Sequence, residues 1–262
     1  MKALHTAATG MMAQELSVEV IANNIANMRT TGFKRQRAEF QDLLYANLRR
    51  TGAATSDAGT IVPVGVQIGS GVRTVATPRV MTQGGVTTTE RELDLALRGE
   101  GFFRVQLPDG RTGYTRDGSF ERDAEGNLVT ADGYIVEPGI TIPGDANSIT
   151  ISAQGQVQAY VGTDTTPTDL GQVDIARFVN KTGLESIGDN LFVETASSGP
   201  AQVGVPGDAG YGTLLQGYLE DSNVEAVTEI SDMIAAQRAY EMNARVISGA
   251  DEMLSSTANI LR

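Results

Sequence analysis

The stretch KALHTAATGMMAQELSVEVIANNIANM, residues 2–28, carries an apolar residue at every seventh position. Leu4, Met11, Val18 and Ile25 form this series, and Ile21 and Met28 continue it three residues further on. A seven-residue apolar period keeps one seam of a helix against a partner helix. The pattern therefore predicts one long helix over residues 2–28 with a seam that needs a partner.

The same period returns at the other end of the chain, where a second helix is predicted from about residue 224 onward. Its seam consists of Met233, Tyr240, Ile247, Leu254 and Leu261. Isolated helices gain little stability from propensity alone and depend on burial of such a face. We expect the two helices to pair with each other, or with copies in other subunits, so that the two apolar series form an assembly seam.

Three asparagines lie near the end of the first predicted helix, at Asn23, Asn24 and Asn27. Asparagine is a poor residue for a helix interior. The cluster can fix register by hydrogen bonding across a helix interface, or it can mark a fraying helix end. Gly32 then ends the helix, since glycine adopts positive φ readily.

The segment after the first helix changes character. Residues 38–49 have a helix-like apolar spacing and are predicted to form a shorter second helix. Residues 51–75 are rich in small residues and are interrupted by Pro63, which excludes a helix. This segment is either a flexible tether or an extended arm on a surface, and the arm's apolar anchors would be Ile61, Val64, Val66 and Ile68.

Turn signals dominate the middle of the chain, from about residue 81 to 218. Tripeptides such as Pro108-Asp109-Gly110 separate short strand-like pieces at intervals typical of an antiparallel all-β domain. The predicted fold class is α+β, with the terminal helices pairing as a coiled-coil-like inner domain. The predicted segments are a helical part at 1–45, the arm at 46–75, a β-rich outer domain at 76–219 and a C-terminal helix at 220–262.

Composition excludes several classes of protein. The net charge of −12 argues against a nucleic-acid binder, because no excess of Lys and Arg is available for phosphates. Cysteine is absent, which removes disulfides and cysteine-bound metals. The one histidine, His5, allows neither a zinc site nor a histidine-based triad. We therefore expect no cofactor, no metal and no catalytic residues.

Charge is distributed unevenly along the chain. A basic cluster follows the first helix, and an acidic cluster begins the last one. If the terminal helices run antiparallel, the two clusters face each other; otherwise they are two unrelated solvated surfaces. The basic residues are Arg29, Lys34, Arg35 and Arg37, and the acidic ones are Glu220, Asp221, Glu225, Glu229 and Asp232.

No stretch approaches the roughly 18–20 apolar residues of a membrane helix. The first fifteen residues also lack the apolar core of a cleavable leader. We expect no membrane span, and export without a cleaved signal peptide if the protein leaves the cytoplasm.

Five separated motifs, in order, resemble those of the bacterial flagellar axial proteins, the family of rod, hook and hook-associated subunits. The first is the run from Ala22 to Arg35 that contains Asn23, Asn24, Asn27, Gly32 and Phe33. The others are Gly99–Phe103, Tyr114–Phe120, Gly183–Phe192, and the C-terminal pair Ser222–Val224 and Gln237–Asn243. The resemblance covers nearly the whole chain.

This resemblance implies a structural, non-enzymatic protein that leaves the cell unfolded through the flagellar type III export apparatus. It implies stacking into a helical tube of about eleven protofilaments, an open heterologous assembly of identical subunits. The helices would line the tube and the β domain would form its outer wall. The tube, spanning the periplasm in the basal body, would transmit torque to the hook inside the P- and L-ring bushings.

Chain length and the 51–75 segment favour the distal rod among the family's positions, next to proximal-rod and hook proteins. A proximal-rod or hook subunit is the alternative within the family. Two alternatives from other classes are a wall-cleaving enzyme and a tail-fibre-like adhesin. The enzyme is the weaker, because most of the chain's Asp residues in the middle lie in turns where they bond their own backbone.

Overall fold

The computed structural model describes residues 2–52, 64–162 and 166–260. The chain divides into two compact units. Unit 1 takes Met1–Ile25, Gln36–Pro78 and Glu225–Arg262, and unit 2 takes Ala26–Arg35 and Arg79–Val224. The predicted arm thus groups with the terminal helices, and the turn after the first helix groups with the β-rich middle.

The described residues of unit 1 form both long helices and four short strands. The helices are α1 (Lys2–Ala26) and α2 (Ala226–Ile260). The strands are β1 (Glu39–Asp42), β2 (Ala46–Arg49), β3 (Val66–Ile68) and β4 (Val72–Ala76). The two helices predicted from the seven-residue period are therefore confirmed. None of the described helices has an apolar stretch long enough to cross a bilayer.

The helix predicted over residues 38–49 is wrong. These residues form β1 and β2, which pair antiparallel with β4 and β3. Glu39 pairs with Ala76 and Ala46 with Ile68. The helical apolar spacing was misleading because no helical partner buries it: the side chain of Leu44 is 90% exposed. Backbone pairing with a segment about 20–40 residues away decides the conformation instead. We call residues 39–49 and 66–76 together the ribbon.

Unit 2 consists of short antiparallel strands, as the turn spacing predicted. Their order along the chain is β5 (Val86–Thr88), β6 (Leu95–Arg98), β7 (Phe102–Gln106), β8 (Thr112–Thr115), β9 (Glu121–Arg122), β10 (Leu128–Val129), β11 (Ile135–Val136), β12 (Ala146–Ile151), β13 (Gln156–Val161), β14 (Thr168–Gln172), β15 (Ile175–Arg177), β16 (Glu185–Gly188), β17 (Leu191–Val193), β18 (Gln202–Gly204), β19 (Thr213–Gln216) and β20 (Tyr218–Glu220). A short 3₁₀ helix lies at Lys181–Gly183.

Within the described part of the chain, nine of these strands form one sheet, in the order β16-β17-β8-β7-β11-β10-β9, with β15 joining β7 to β18. A second sheet is β12-β13-β14, and β6 pairs with β19 and β5 with β20. The last two pairs place residues 86–98 beside residues 213–220, near the two ends of the long segment of unit 2.

The core of unit 2 consists of two clusters of buried residues, and the larger one draws residues from both sheets. The larger cluster is mostly aliphatic but contains Phe103 and Phe120, whose rings meet edge to face at 5.0 Å. A second cluster is aromatic, and Phe178 contacts Phe102 and Tyr114 edge to face. Such pairs favour one packing arrangement, because ring edges carry positive and ring faces negative potential.

Candidate functional site

The helix pair of unit 1 is antiparallel. Asn24 near the end of α1 donates from Nδ2 to Glu229 near the start of α2, at 3.0 Å. Fourteen residues earlier in α1, Gly10 lies against Asn243, fourteen residues later in α2: a Cβ at Gly10 would be 3.0 Å from the Asn243 Nδ2 atom. The two contacts fix both direction and register.

Small and polar residues make this contact. On α2 the buried positions are Glu229, Ala236 and Ala250, with Asn243 between them at the same seven-residue spacing. On α1 Asn24 is 1% exposed and Gly10 provides space for Asn243. The helices therefore approach through short side chains, which leaves the large apolar residues to one side.

The large residues of the predicted assembly seam remain partly open to solvent. Tyr240 and Leu254 are exposed, and Met28 is exposed in the turn beyond α1. Leu261 lies outside the described residues. The half-buried members of the seam are Leu4, Met11, Val18, Ile21, Ile25, Met233 and Ile247.

Both polar atoms of the Asn24 side chain form hydrogen bonds. Besides the bond to Glu229, its Nδ2 donates to the Gln36 carbonyl at 2.9 Å and its Oδ1 accepts from the Gln36 amide at 2.9 Å. A buried amide with several partners specifies one register, because any slip leaves polar atoms unpaired. Asn23 is exposed on the same helix, and Asn27 accepts from the Thr30 hydroxyl at 3.1 Å.

The ribbon lies against α1 at one close contact. Gly71 has φ +115°, and a Cβ there would be 2.2 Å from the Thr9 Oγ1 atom. Beyond this contact the predicted arm anchors are uncovered: Val64 is 76% exposed, and Val66 and Ile68, both in β3, are exposed as well. Ile61 lies outside the described residues. The ribbon therefore presents apolar side chains that unit 1 does not bury.

Gly32 and Phe33 anchor the segment that follows α1 inside unit 2. Gly32 has φ +67°, its amide donates to the Glu220 carbonyl at 2.7 Å, and a Cβ would be 2.6 Å from the Asp117 amide nitrogen. Only glycine tolerates both the conformation and the approach. Phe33 is buried with the Arg79 guanidinium 5.7 Å from its ring centre.

Next to them lies a cluster of three charged side chains, Lys34, Arg116 and Glu220, each at most 3% exposed. Lys34 forms an ion pair with Glu220 Oε1 and donates to the Thr82 carbonyl at 2.9 Å. Arg116 donates to Glu220 Oε2 at 3.2 Å and to the Gly99 carbonyl at 2.8 Å. We call these three residues the buried charge cluster.

Glu220 is fully satisfied, since the Gly84 amide also donates to its Oε1 at 3.0 Å. The two cations share this one carboxylate. Burial lowers the pKa of Lys34 below its ordinary value, and attraction to Glu220 only partly opposes this. Burial likewise lowers the pKa of Arg116, against the attraction of Glu220 and Glu100.

Asn223, three residues after Glu220, forms hydrogen bonds to the segments that contain Lys34 and Thr82. Its Oδ1 accepts from the Arg35 amide at 2.8 Å, and its Nδ2 donates to the Val80 carbonyl at 2.7 Å. Asn223 and the buried charge cluster thus join residues 32–35, 79–84 and 220–223, three segments far apart in sequence.

The sequence predicted, for antiparallel helices, a contact between the clusters that contain Lys34 and Glu220, but not the participation of Arg116. The basic and acidic clusters were expected to meet if the helices ran antiparallel, and Lys34 does meet Glu220, although within unit 2. Arg116 was missed, because it lies in a turn motif where an arginine normally points to solvent. The available signal was its place inside the motif from Tyr114 to Phe120, at the end of a buried strand.

The described residues contain no group of three or more acidic or histidine side chains placed to bind a metal ion. The turn carboxylates behave as the sequence suggested. Asp109 and Asp123 accept hydrogen bonds from Arg111 and Asn127, which lowers the pKa of each. These hydrogen bonds stabilise the turns in which the two carboxylates lie.

Three family models match the chain: "Flagella basal body rod protein" at residues 4–34, "Flagellar hook protein FlgE/F/G D1 domain" at 96–159 and "Flagellar basal body rod FlgEFG protein C-terminal" at 215–260. The chain is 55% identical over 260 residues to the flagellar basal-body rod protein FlgG of Caulobacter vibrioides, with 99% of each chain covered. The chain belongs to the flagellar basal-body rod protein family.

A second member of the family, FlgG of Agrobacterium fabrum, is 53% identical over 262 residues with both chains covered completely. Similarity to the rod protein FlgF of Caulobacter vibrioides is lower, at 34% over 263 residues, with 99% of this chain and 97% of FlgF covered. The family is structural, so this chain is a rod protein and not an enzyme.

Proposed function

We propose that this chain is a structural subunit of the distal rod of the bacterial flagellum, polymerising into a rigid helical tube. In this role it transmits torque from the motor to the hook, and its helices line part of the export channel. The observation that carries the proposal is the helix pair of unit 1, in which small and polar residues make the internal contact while a row of large apolar residues stays partly open.

Uncovered apolar residues in regular register favour self-assembly. Burying one large aliphatic side chain contributes about 1.5–3 kcal/mol, so a seam of several such residues supports a stable contact between copies. In this proposal, the contact between neighbouring copies is of the head-to-tail type, in which one surface of a subunit binds a different surface of the next. Repeated contacts of this type generate helical filaments or tubes.

Assignment to the distal rod, with proximal-rod or hook positions as the alternative, is supported by the difference in identity between two relatives from one organism. FlgG of Caulobacter vibrioides is 55% identical to this chain and FlgF is 34% identical. We place the chain in the FlgG branch and propose proximal-rod, hook and ring proteins as its neighbours in the periplasm, after export without a cleaved signal.

The ribbon supports a second part of the proposal, a contact between adjacent copies in the tube. Its residues Val66 and Ile68 are exposed in the single chain, as is Val64 just before the ribbon's strand β3. Ile61 is expected to act with them. A segment that seats such side chains on a neighbour would hold protofilaments at one spacing and keep the tube straight. A disordered tether is the competing interpretation.

The seam is tested by replacing Ile247 or Leu254 with Asp. A charge at a buried helix contact costs several kcal/mol, so we expect loss of tubes and of swimming. Ser248→Asp, on an exposed neighbouring position of the same helix, is the matched control and should assemble. Electron microscopy and motility measure assembly, and circular dichroism shows that unit 2 stays folded. Normal tubes from both seam variants would refute the proposed seam.

The role of the predicted arm is tested by deleting residues 53–66, which removes the anchors Ile61, Val64 and Val66. Export and tube formation should persist, because both helices remain, but isolated basal bodies should contain curved or bendable rods. Straight, rigid rods would show that stiffness comes from unit 2 or from the helices.

A further inference from the structure

Unit 2 contains a cleft of about 530 Å³ that includes no residue of the helix seam or of the ribbon. Thr82, Gln83 and Gly99 lie on one side, beside the buried charge cluster. Asn180, Lys181 and Thr182 lie on the other, at the short 3₁₀ helix. Arg116 and Glu100 also line it. Two cationic side chains therefore line the cleft: Arg116, from the buried charge cluster, and Lys181, from the 3₁₀ helix.

Positive charge at this cleft exceeds negative charge, although the whole chain has a net charge of −12. Lys34 and Arg116 share the single carboxylate of Glu220, and all three are buried. Lys181 forms an ion pair with Glu100, whose side chain is half exposed. Among the side chains that line the cleft itself, Arg116 and Lys181 are cationic and Glu100 is anionic. Buried charge is costly unless it is paired, so this place favours another anion.

Hydrogen-bond donors are also left over. Arg116 donates to Glu220 and Gly99, but its Nε atom is buried and has no partner among the described residues. The Lys181 ammonium carries three protons and is held by the exposed carboxylate of Glu100. Guanidinium and ammonium groups together are the side chains that proteins use for carboxylates.

We propose that the cleft lined by Arg116 and Lys181 is a binding site for a carboxylate group. The Lys181 ammonium contacts the incoming carboxylate directly, in competition with Glu100, and Arg116 supplies the buried positive charge behind it. The volume is sufficient for one acidic side chain or a small dicarboxylate. The occupant is either a free carboxylate or an Asp or Glu of a second copy, and binding itself does not depend on the proposed rod assembly.

The site is tested on the full-length chain at concentrations where it is monomeric, with glutarate as the probe and the neutral diamide glutaramide as its matched control. Binding is followed by backbone-amide NMR shifts at Gly99, Lys181 and Thr182. Glutarate should bind saturably and glutaramide should not. Lys181→Gln should weaken binding about threefold, the worth of one partly exposed ion pair.

Glu100→Gln should change the affinity for glutarate in the opposite direction from Lys181→Gln. It removes the competing carboxylate, so glutarate should bind about threefold more tightly. Asp109→Asn removes the same charge from the exposed Asp109–Arg111 pair outside the cleft and should change nothing. Absence of saturable binding by both the natural chain and Glu100→Gln overturns the proposal, as does an equal gain in Asp109→Asn.

The source of the carboxylate is decided in the same system at higher protein concentration. If glutarate reduces self-association measured by sedimentation, the natural occupant is an acidic side chain of a second copy. If self-association is unchanged while glutarate still binds, the site takes a free carboxylate.

Discussion

Glu220 is the single side chain on which the buried charge cluster depends. Glu220→Gln leaves Lys34 and Arg116 buried without a counter-charge, and we expect unit 2 to lose about 3–5 kcal/mol of unfolding free energy. Urea unfolding followed by circular dichroism measures this loss.

The matched control is Glu121→Gln, in the Arg91–Glu121 pair. That pair has the same 3.2 Å separation as Arg116 and Glu220 but is more than half exposed. Its loss should cost at most about 1 kcal/mol. Equal effects of the two variants would show that burial of the cluster contributes nothing.

Lys34 should make the stability of unit 2 increase with pH in the alkaline range. Its pKa in the folded state lies below the ordinary value of 10.5, chiefly because of burial. Between that lowered pKa and about 10.5, the unfolded chain binds a proton that the folded chain has released, so the free energy of unfolding rises with pH. Below the lowered pKa, the destabilising contribution is fully present.

We expect the urea midpoint to rise over this window, and the rise to be absent in Lys34→Met. The scan should end below about pH 10, because burial also raises the pKa of Tyr114, whose ionisation would then oppose folding. An identical pH slope in the natural chain and in Lys34→Met would assign the effect to other groups.

The antiparallel helix pair offers two helical glycines in contrasting surroundings. Gly10 faces Asn243, whereas a Cβ at Gly249 would have no neighbouring atom within 4 Å outside its own helical turn. Gly249→Leu should stabilise α2 by up to about 1 kcal/mol through helix propensity. Gly10→Leu should destabilise the pair by about 1–3 kcal/mol, since the added side chain separates the helices.

Thermal unfolding at 222 nm compares the two variants directly, because the change in residue type is the same. A rise of the midpoint in both would mean that α1 and α2 do not depend on close approach at Gly10.

For the molecule as a whole, the division into two units predicts which fragment folds. Residues 26–35 belong to unit 2, and Lys34 is part of its buried charge cluster. A fragment of residues 26–224 should therefore be more stable than one of residues 45–224 by about 3 kcal/mol or more, the cost of removing one partner of a buried pair. Urea midpoints that coincide would contradict this.

The sequence by itself determined the elements that rest on local pattern. The period of Leu4, Met11, Val18 and Ile25 predicted α1, and its counterpart from Met233 predicted α2, because a helix needs apolar residues at that spacing to bury one face. Turn tripeptides such as Pro108-Asp109-Gly110 predicted the β-rich middle, since they restrict the backbone within three or four residues. The ordered motifs predicted the family.

Only the tertiary structure decided what depends on residues far apart in the chain. Residues 39–49 are strands because β3 and β4 pair with them, whatever their own apolar spacing favours. The helix contact uses Gly10, Asn24 and Glu229 rather than the large apolar residues, because close approach needs small or hydrogen-bonded side chains. Lys34, Arg116 and Glu220 became a buried cluster because folding brings three distant segments together, and no local pattern contains that information.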